Sequence, residues 1–363
     1  MINTKWSILA LVILFHLVFA KIPRLVVENE QPVQNTIRFS MVSIFKNAHE
    51  STLSTDGKFL ALIRNDSVNV VNLLKGTNII HIAPDSVTML GAKFSPGSSS
   101  LAIAYKIIEN AQTLRFKVEV WNVSTGKETI SLPVVIDQWY RNIGDLSFSK
   151  DSQLLASNLG GIARLWNLSD GSEYKRFLPP DNKSDIQSER VLLSPDGNRL
   201  AVYFKRQNPA FDVIRVWNLS DQKYVDLKTN IYSDWEFSKD SKLLAITVIE
   251  KKGLSDEHSS VEIWDVSKAA RVTTIEVPKE WRGGFVTAIS PDASMVAIGG
   301  YKKFGLFDIK TGALLGEGKH TDSGFFKDSE SVNELSDIEF SPDGKTLLTG
   351  GNDNKVKLWR IER

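Results

Sequence analysis

Hydrophobic and polar residues alternate along most of this chain in short segments that end at turn-forming residues. The segment from Val213 to Trp217 shows the pattern, since its successive side chains would lie on opposite faces of an extended strand. A period of two residues is the side-chain repeat of a half-buried β-strand. The pattern therefore predicts a chain of short strands joined by tight turns.

One turn phrase recurs along the sequence. An apolar residue and Ser precede a turn of Pro-Asp-Gly or related type, and Leu-Ala or an equivalent pair follows two or three residues later. The phrase begins at seven positions: Leu53, Phe94, Phe148, Leu193, Phe237, Ile289 and Phe340. Pro fixes φ, Asp bonds to its own backbone and Gly tolerates positive φ, so each phrase is predicted to close a β-hairpin.

A second phrase follows each turn phrase in unbroken order. It consists of alternating apolar residues that end at an anchor residue, usually aromatic and followed by Asn or Asp. The seven anchors are Val71, Trp121, Trp166, Trp217, Trp264, Phe307 and Trp359. Another turn and a fourth strand come next, as at residues 77–82 and 273–277, so each repeat is predicted to form four antiparallel strands.

The anchors lie 43 to 52 residues apart, at or somewhat above the length of a four-stranded propeller blade. One blade has no complete core, so seven must stack around an axis. We predict an all-β, seven-bladed β-propeller over residues 36–363. The segment from Ile37 to Phe45 is predicted to close the ring beside the C-terminal segment from Lys355 to Ile361, which removes an open sheet edge.

These phrases resemble the WD40 repeat family, most clearly from Phe340 to Trp359. Only Trp264 is followed by the Asp of the family's Trp-Asp pair, and other blades carry Trp-Asn or related pairs. The resemblance implies a buried Asp-His-Ser/Thr-Trp tetrad, for which Asp353 fits the last blade and His320 or His81 could supply the histidine. Gly160 and Asn65 replace the tetrad Asp in the third and first blades. The family resemblance also implies a scaffold for protein or peptide partners.

The N-terminus predicts export. A short basic start precedes an apolar run from Trp6 to Ala20, and Lys21 to Arg24 ends that run sharply. We interpret residues 1–20 as a signal peptide cleaved after Ala20 and residues 21–35 as a linker, which places the protein in a periplasm or outside the cell. The alternative is a membrane anchor formed by residues 6–20, although 15 apolar residues fall short of a bilayer span. Membrane contact is expected only in that case.

Composition narrows the chemistry. The 363 residues include 44 Lys and Arg against 43 Asp and Glu, so the basic excess expected of a nucleic-acid binder is absent. There is no Cys, which excludes thiolate metal sites and Cys nucleophiles. No catalytic motif is found, and His49, His81, His258 and His320 are scattered. We therefore predict a non-catalytic protein without cofactor or metal.

An enzyme remains the alternative, acting as a hydrolase or lyase on a sugar or lactone with carboxylates in the central channel. The inner strands read as mostly apolar, but Asp145, Asp234 and Asp337 stand near the channel-side start of three of them. Three of the five Asn-x-Ser/Thr sequons, at Asn122, Asn167 and Asn218, occupy the turn after the anchor. Asn and Ser are turn formers there, which explains their presence without glycosylation.

Loop lengths predict a binding face. Extra residues near Ile107 to Phe116, Lys205 to Asp212 and Ile249 to Ser259 fall in the second connection of their blades. Links between blades leave from the same face and carry the aromatic and basic candidates Trp139, Tyr140, Arg141, Trp281, Arg282, Phe325 and Phe326. Insertions confined to one face commonly mark the binding surface of repeat proteins. The alternative for these aromatics is packing between blades.

Overall fold

The computed structural model describes residues 37–46, 48, 50–110, 113–133, 135–137, 145–159, 161–179, 187–206, 211–229, 234–251, 257–281, 285–320, 335–351, 353 and 355–362. Within these ranges 29 strands form seven antiparallel sheets that follow one another around a ring. The predicted all-β, seven-bladed propeller with four antiparallel strands per blade is confirmed. Residues 1–36, with the predicted signal peptide and linker, lie outside the described residues.

Blades 1 to 3 follow the N-terminal strand. The N-terminal strand is β1 (Arg38–Lys46). The strands of blades 1 to 3 are β2 (Glu50–Leu53), β3 (Phe59–Ile63), β4 (Val68–Asn72), β5 (Thr77–Ile82), β6 (Val87–Phe94), β7 (Ser100–Asn110), β8 (Thr113–Asn122), β9 (Lys127–Ser131), β10 (Val135–Asp137), β11 (Leu146–Phe148), β12 (Leu154–Leu159), β13 (Ile162–Asn167) and β14 (Glu173–Phe177). Blade 2 holds five strands, because β9 and β10 both pair with β8.

Blades 4 to 7 complete the ring. Their strands are β15 (Gln187–Leu193), β16 (Arg199–Arg206), β17 (Phe211–Asn218), β18 (Tyr224–Leu227), β19 (Trp235–Phe237), β20 (Leu243–Lys251), β21 (Glu257–Asp265), β22 (Ala270–Glu276), β23 (Val286–Ile289), β24 (Met295–Gly299), β25 (Lys303–Asp308), β26 (Leu314–Lys319), β27 (Leu335–Phe340), β28 (Thr346–Gly351) and β29 (Lys355–Glu362). The first strand of each blade is innermost and borders the central channel.

The hydrophobic core is divided among the blade interfaces. Seven clusters of buried side chains each join two neighbouring blades, the last of them joining blade 7 to blade 1. A blade therefore buries both faces of its sheet, and no blade has a core of its own. Removal of this apolar surface from water is what holds the ring together.

The turn phrases form the hairpins expected of them. In blade 1, Ser54 Oγ donates to Asp56 Oδ1 at 2.7 Å and accepts the backbone N–H of Phe59 at 2.8 Å. The residue after the Asp position has positive φ in all seven blades, and in four of them it is not glycine: Ser98, Ser152, Ser241 and Ala293. Since four of the turns form without glycine at this position, the side-chain hydrogen bonds also help to specify the turn.

The N-terminal strand closes the ring as predicted. β1 pairs antiparallel with β29 from Arg38 opposite Glu362 to Lys46 opposite Lys355, and so becomes the outermost strand of blade 7. Just before β1, the N–H of Ile37 donates to the carbonyl of Leu315 in blade 6 at 2.7 Å. The chain therefore ties its first described strand to its last blade, and β29 has no open edge.

The turns after the first six anchors use an Asn or Asp side chain. Asn122 Oδ1 accepts the N–H groups of Ser124 and Thr125 at 3.0 and 2.9 Å, and Asn167 and Asn218 accept N–H groups in the same way. These asparagines therefore act as turn formers, in line with the interpretation of the three sequons.

Candidate functional site: the hairpin face and the central channel

Long hairpins extend from one face of the ring, which we call the hairpin face. The second and third strands stay paired as far as Asn110 opposite Thr113 in blade 2, Arg206 opposite Phe211 in blade 4 and Lys251 opposite Glu257 in blade 5. In blade 1 the same connection begins after Ile63 pairs with Val68. The predicted insertions are therefore extended β-hairpins, and β10 widens the one on blade 2.

Most of the predicted binding residues fall outside the described residues. These are Trp139, Tyr140, Arg141, Arg282, Phe325 and Phe326. Trp281 is described and is only 1% exposed. It packs in the core cluster between blades 5 and 6, edge to face with Phe307 at 5.9 Å between ring centroids. Its position agrees with blade packing, the alternative stated for these aromatics.

The three aspartates singled out in the sequence converge on the channel. Arg190 of blade 4 joins two of them, with Nε 2.9 Å from Asp145 Oδ2 and Nη1 3.2 Å from Asp234 Oδ1. Across the ring, Asp337 accepts a hydrogen bond from Ser51 Oγ at 3.2 Å. Each inner strand starts at the hairpin face, so these groups line the channel mouth on that face.

Carboxylates in the channel also connect successive blades. Asp234 and Glu236 accept the backbone N–H groups of Thr287 and Ile289 at 2.8 and 2.5 Å. Glu339 accepts the N–H of Leu53 at 2.9 Å. The inner edge of a first strand has no further strand to pair with, so these side chains satisfy amides that would otherwise face the channel unpaired.

The last blade contains a buried network around Trp359. Its Nε1 donates to Thr349 Oγ1 at 2.7 Å, and Nδ1 of His320 lies 2.7 Å from the same oxygen. Nε2 of His320 lies 3.3 Å from Asp353 Oδ1. This is the tetrad that the resemblance to WD40 repeats implied for Asp353 and His320, with Thr349 as its hydroxyl member.

The family comparison agrees with this geometry. The family described as "WD domain, G-beta repeat" matches residues 322–360, which include the Asp, Thr and Trp of the tetrad. The last blade therefore matches the WD40 repeat family, and the described residues form a seven-bladed propeller. The chain is 23% identical over 288 residues to "Cross-pathway control WD-repeat protein 2" of Flammulina velutipes, covering 67% of this chain and 86% of that protein. It is 24% identical over 246 residues to human "Apoptotic protease-activating factor 1", covering 65% of this chain but only 17% of that protein.

Two positions on each inner strand of this propeller determine the channel lining. Both positions are counted back from the apolar residue that begins the turn phrase. The mouth position lies three residues before that apolar residue, and the deep position lies one residue before that apolar residue. The mouth positions are Glu50, Gly91, Asp145, Arg190, Asp234, Val286 and Asp337, and the deep positions are Thr52, Lys93, Ser147, Leu192, Glu236, Ala288 and Glu339. Blades 1, 3, 5 and 7 supply every carboxylate, and the even blades supply the two cations.

Burial changes the protonation of these channel groups. It raises the pKa of Glu50 to about 7 and that of Glu236 to about 8. The pKa values of Asp337 and Glu339 are raised by burial as well, and the neighbouring carboxylates Glu339 and Glu50 raise that of Asp337 further. Burial lowers the pKa of Lys93, but the surrounding carboxylates outweigh it and raise that pKa above its ordinary value.

Sequence reasoning identified three of these channel groups and missed five. Glu50, Lys93, Arg190, Glu236 and Glu339 were not singled out, because the inner strands were judged mostly apolar. Aligning the seven turn phrases and comparing the two preceding alternate positions would have found them.

The described residues hold no group of three or more His, Asp or Glu side chains arranged to bind a metal ion. They also include no helix that is long and apolar enough to cross a membrane.

Proposed function

We propose that the protein is a non-catalytic scaffold that binds a protein or peptide partner through the hairpin face. The supporting observation is that three extended hairpins, on blades 2, 4 and 5, leave the same face on which the charged channel mouth opens. The WD-repeat relatives support a role in protein interaction. Within the described residues the opposite face carries only tight turns, which project little surface for specific recognition.

The residues proposed to contact the partner lie on the links between blades. They are Trp139, Tyr140, Arg141, Arg282, Phe325 and Phe326, whereas the burial of Trp281 removes it from this set. Trp, Tyr and Arg are enriched at the centre of protein interfaces because they bury a large area and keep a polar group. Nucleic acid is not proposed as a partner, because the sequence has no basic excess.

Affinity capture followed by point variants tests this proposal. A partner identified with the wild-type chain is titrated against Trp139→Ala, Arg141→Ala and Arg282→Ala. A loss of about 1 to 4 kcal/mol in binding at unchanged melting temperature is expected if they are interface residues. Lys58→Ala and Lys150→Ala, in turns of the opposite face, are the matched controls. Weaker binding in the controls alone would place the partner on the other face.

We also propose that the protein is exported, with residues 1–20 removed. The basic start and the apolar run from Trp6 to Ala20 support this. The mass of the purified native protein is the test, and a chain that begins at Lys21 is expected. Recovery of an intact Met1 in membranes would instead support the anchor, and an intact Met1 in the cytosol would reject export.

A second candidate function is that of a hydrolase or lyase acting on a sugar or lactone in the channel. The observation in its favour is that Glu50 and Glu236 have pKa values of about 7 and 8, which suit a carboxylic acid that donates a proton near neutral pH. Glycosides and lactones with chromogenic leaving groups provide the assay. Turnover that disappears in Glu50→Gln or Glu236→Gln, with the fold intact, would favour the enzyme over the scaffold.

A further inference from the structure

A groove lies on the outer circumference between blades 3 and 4, away from the hairpin face. We call it the rim groove. It has a volume of about 320 Å³ and is lined by Lys175, Arg176, Phe177, Leu178, Pro179, Arg215 and Trp217. Blade 3 contributes β14 and the residues after it, and blade 4 contributes β17, so the groove is open to solvent along the side of the ring.

The floor of the rim groove is aromatic and well packed. Phe177 and Trp217 are buried and meet edge to face at 5.1 Å between ring centroids, and Tyr224 lies 6.0 Å from Trp217. A further aromatic ring, that of Phe204, supports Trp217 from beneath at 5.9 Å. The floor therefore has little freedom to lose when a ligand binds.

Arg215 forms one wall in a fixed geometry. Its Nε and Nη2 donate to the two oxygens of Asp226 at 2.7 and 2.8 Å, and its guanidinium carbon stacks 3.7 Å from the ring centre of Tyr224. A planar guanidinium held on two sides presents a flat apolar surface as well as charge.

Apolar side chains at the rim are left in water. Leu178 and Tyr224 are each 51% exposed, and they are among six large hydrophobic residues of the described ranges that are more than a third exposed. Tyr174, on the same strand as Phe177, is 65% exposed. Leu178 lines the groove and Tyr224 stacks on Arg215 beside it, so two of these six residues lie at one groove, whereas single exposed apolar residues elsewhere need no explanation.

The charges around the rim groove favour an acidic ligand. Three cations line it and no carboxylate does. Two of these cations are paired with carboxylates beside the groove, since Glu173 accepts from both Arg164 and Arg176, and Asp226 pairs with Arg215, so the charge offered to a ligand is mainly that of Lys175. The ammonium of Lys175 contacts the amide oxygen of Gln222 and lies 5.1 Å from the centre of the Phe177 ring, with no carboxylate of the described residues at ion-pair distance.

We propose that the rim groove binds an extended peptide segment of a partner protein, with an apolar side chain against Phe177 and Trp217 and an acidic side chain at Lys175. Apolar anchoring in a pocket with charge at its rim is the usual anatomy of peptide recognition. This site is separate from the hairpin face, so the proposal can be tested independently of the docking proposed there.

Selection of displayed random peptides on the purified wild-type protein provides the test. The probe is the peptide library itself, and selected peptides are then titrated against Lys175→Glu/Leu178→Asp. The structure predicts enrichment of Asp or Glu next to Leu, Phe or Tyr, and about tenfold or weaker binding to the double variant. Both substituted side chains reach the surface, and a melting curve confirms that the variant is folded.

A matched control and two opposing outcomes make the test decisive. Lys268→Glu/Val272→Asp places the same changes on the exposed rim of blade 5 and is expected to bind the selected peptides as tightly as wild type. Enrichment of basic peptides, failure to enrich any peptide, or equal loss in both double variants would overturn the proposal. Self-association that disappears only in Lys175→Glu/Leu178→Asp would show a second copy of the chain as the occupant instead, and would likewise overturn it.

Discussion

Blades 7 and 5 both place a Trp at the anchor position, but they give its indole nitrogen different partners. In blade 7, Trp359 donates across the sheet to Thr349 of the neighbouring strand. In blade 5, Trp264 donates at 2.8 Å to Glu262, two residues earlier on its own strand, and Glu262 also accepts from Thr229. The indole N–H is therefore hydrogen-bonded in both blades, but its acceptor is a different type of residue on a different strand.

This change of acceptor, which we call the exchange, involves one cross-strand pair: a residue on the second strand and the residue opposite it on the third strand. Thr349 faces Lys357 in blade 7, and Ile246 faces Glu262 at the same place in blade 5. Blades 3 and 2 follow the same two patterns, with Ser157 opposite Arg164 and Ile103 opposite Glu119: Trp166 donates to Ser157, and Trp121 donates to Glu119.

In these four blades a hydroxyl on the second strand occurs with a cation on the third, and an Ile occurs with a Glu. In blades 2 and 5, departure from the tetrad therefore leaves the Trp nitrogen with a Glu as its acceptor, which avoids the cost of an unpaired buried donor.

The two blades also differ in the origin of their outermost strand. Blade 5 completes itself with β22, the next strand along the chain, whereas blade 7 takes β1 from the other end of the chain. Blade 7 is thus the only blade of the described ring whose sheet depends on a segment distant in sequence, and its stability should respond most strongly to changes at the N-terminus.

Deletion of residues 36–46 is expected to have the largest effect. It removes β1, exposes the edge of β29 and leaves Phe304 without the ring of Phe39, now 4.8 Å away. Aggregation or loss of the cooperative transition should follow in size-exclusion chromatography and thermal unfolding. Deletion of residues 21–35 is the control and should leave both unchanged. A deletion of 36–46 that unfolds like wild type would show that blade 7 does not depend on β1.

Trp281→Ala should be the most damaging of the point substitutions considered, at about 3 to 5 kcal/mol, because it empties a fully buried site between blades 5 and 6. Chemical unfolding measures this loss. A cost below about 1 kcal/mol would show that Trp281 does not support this interface and would return it to the candidate binding residues.

Trp281→Phe separates packing from hydrogen bonding. The Nε1 of Trp281 has no hydrogen-bond partner among the described residues, unlike that of Trp359. Trp281→Phe should therefore cost less than Trp359→Phe, which leaves Thr349 with one bond fewer, by about 1 kcal/mol. The same unfolding assay compares the two variants, and equal costs would mean that the indole hydrogen bond in blade 7 contributes little.

A double-mutant cycle at Ile246 and Glu262 tests the exchange directly. Glu262→Ala should cost about 2 to 3 kcal/mol, since Trp264 and Thr229 both lose a buried acceptor. Added to that variant, Ile246→Thr brings a hydroxyl to the position that Thr349 occupies in blade 7 and should recover about 1 kcal/mol. In wild type, Ile246→Thr should only destabilise. Equal effects in both backgrounds would reject the exchange.

The sequence predicted the fold well because its signals are local. Two-residue alternation and the Ser-x-Asp turns, with Ser-Pro-Gly in blade 2, depend on neighbours within a few residues, and the turn phrase recurs seven times. Ring closure was also predictable, since one unassigned strand preceded blade 1 and the last blade lacked one.

The candidate site was less predictable because it depends on register around the whole ring. Arg190 acquires its role only when Asp145 and Asp234, each about 45 residues away, reach the same channel. The burial of Trp281 likewise follows from how two blades meet. Its place in a link between blades fits a surface and an interface equally well.

The pH dependence of stability compares Glu236 of blade 5 with Glu339 of blade 7 in the channel. Burial and nearby carboxylates raise the folded-state pKa of Glu236 to about 8 from an ordinary value of 4.5, while the N–H of Ile289 and the charge of Lys93 offset part of the rise. The folded state therefore binds more protons than the unfolded state between these two values, so stability should fall as pH rises through that window. The Gln side chain of Glu236→Gln cannot titrate but still offers an acceptor to the N–H of Ile289. In this variant the free energy of unfolding, measured with urea, should therefore decrease less between pH 5 and pH 8. Glu339→Gln is the matched control in blade 7, where burial also raises the pKa and Lys93 opposes the rise, and it should flatten the curve to a smaller extent. An unchanged slope in Glu236→Gln would show that Glu236 is ionised throughout this range and that Lys93 compensates its burial completely.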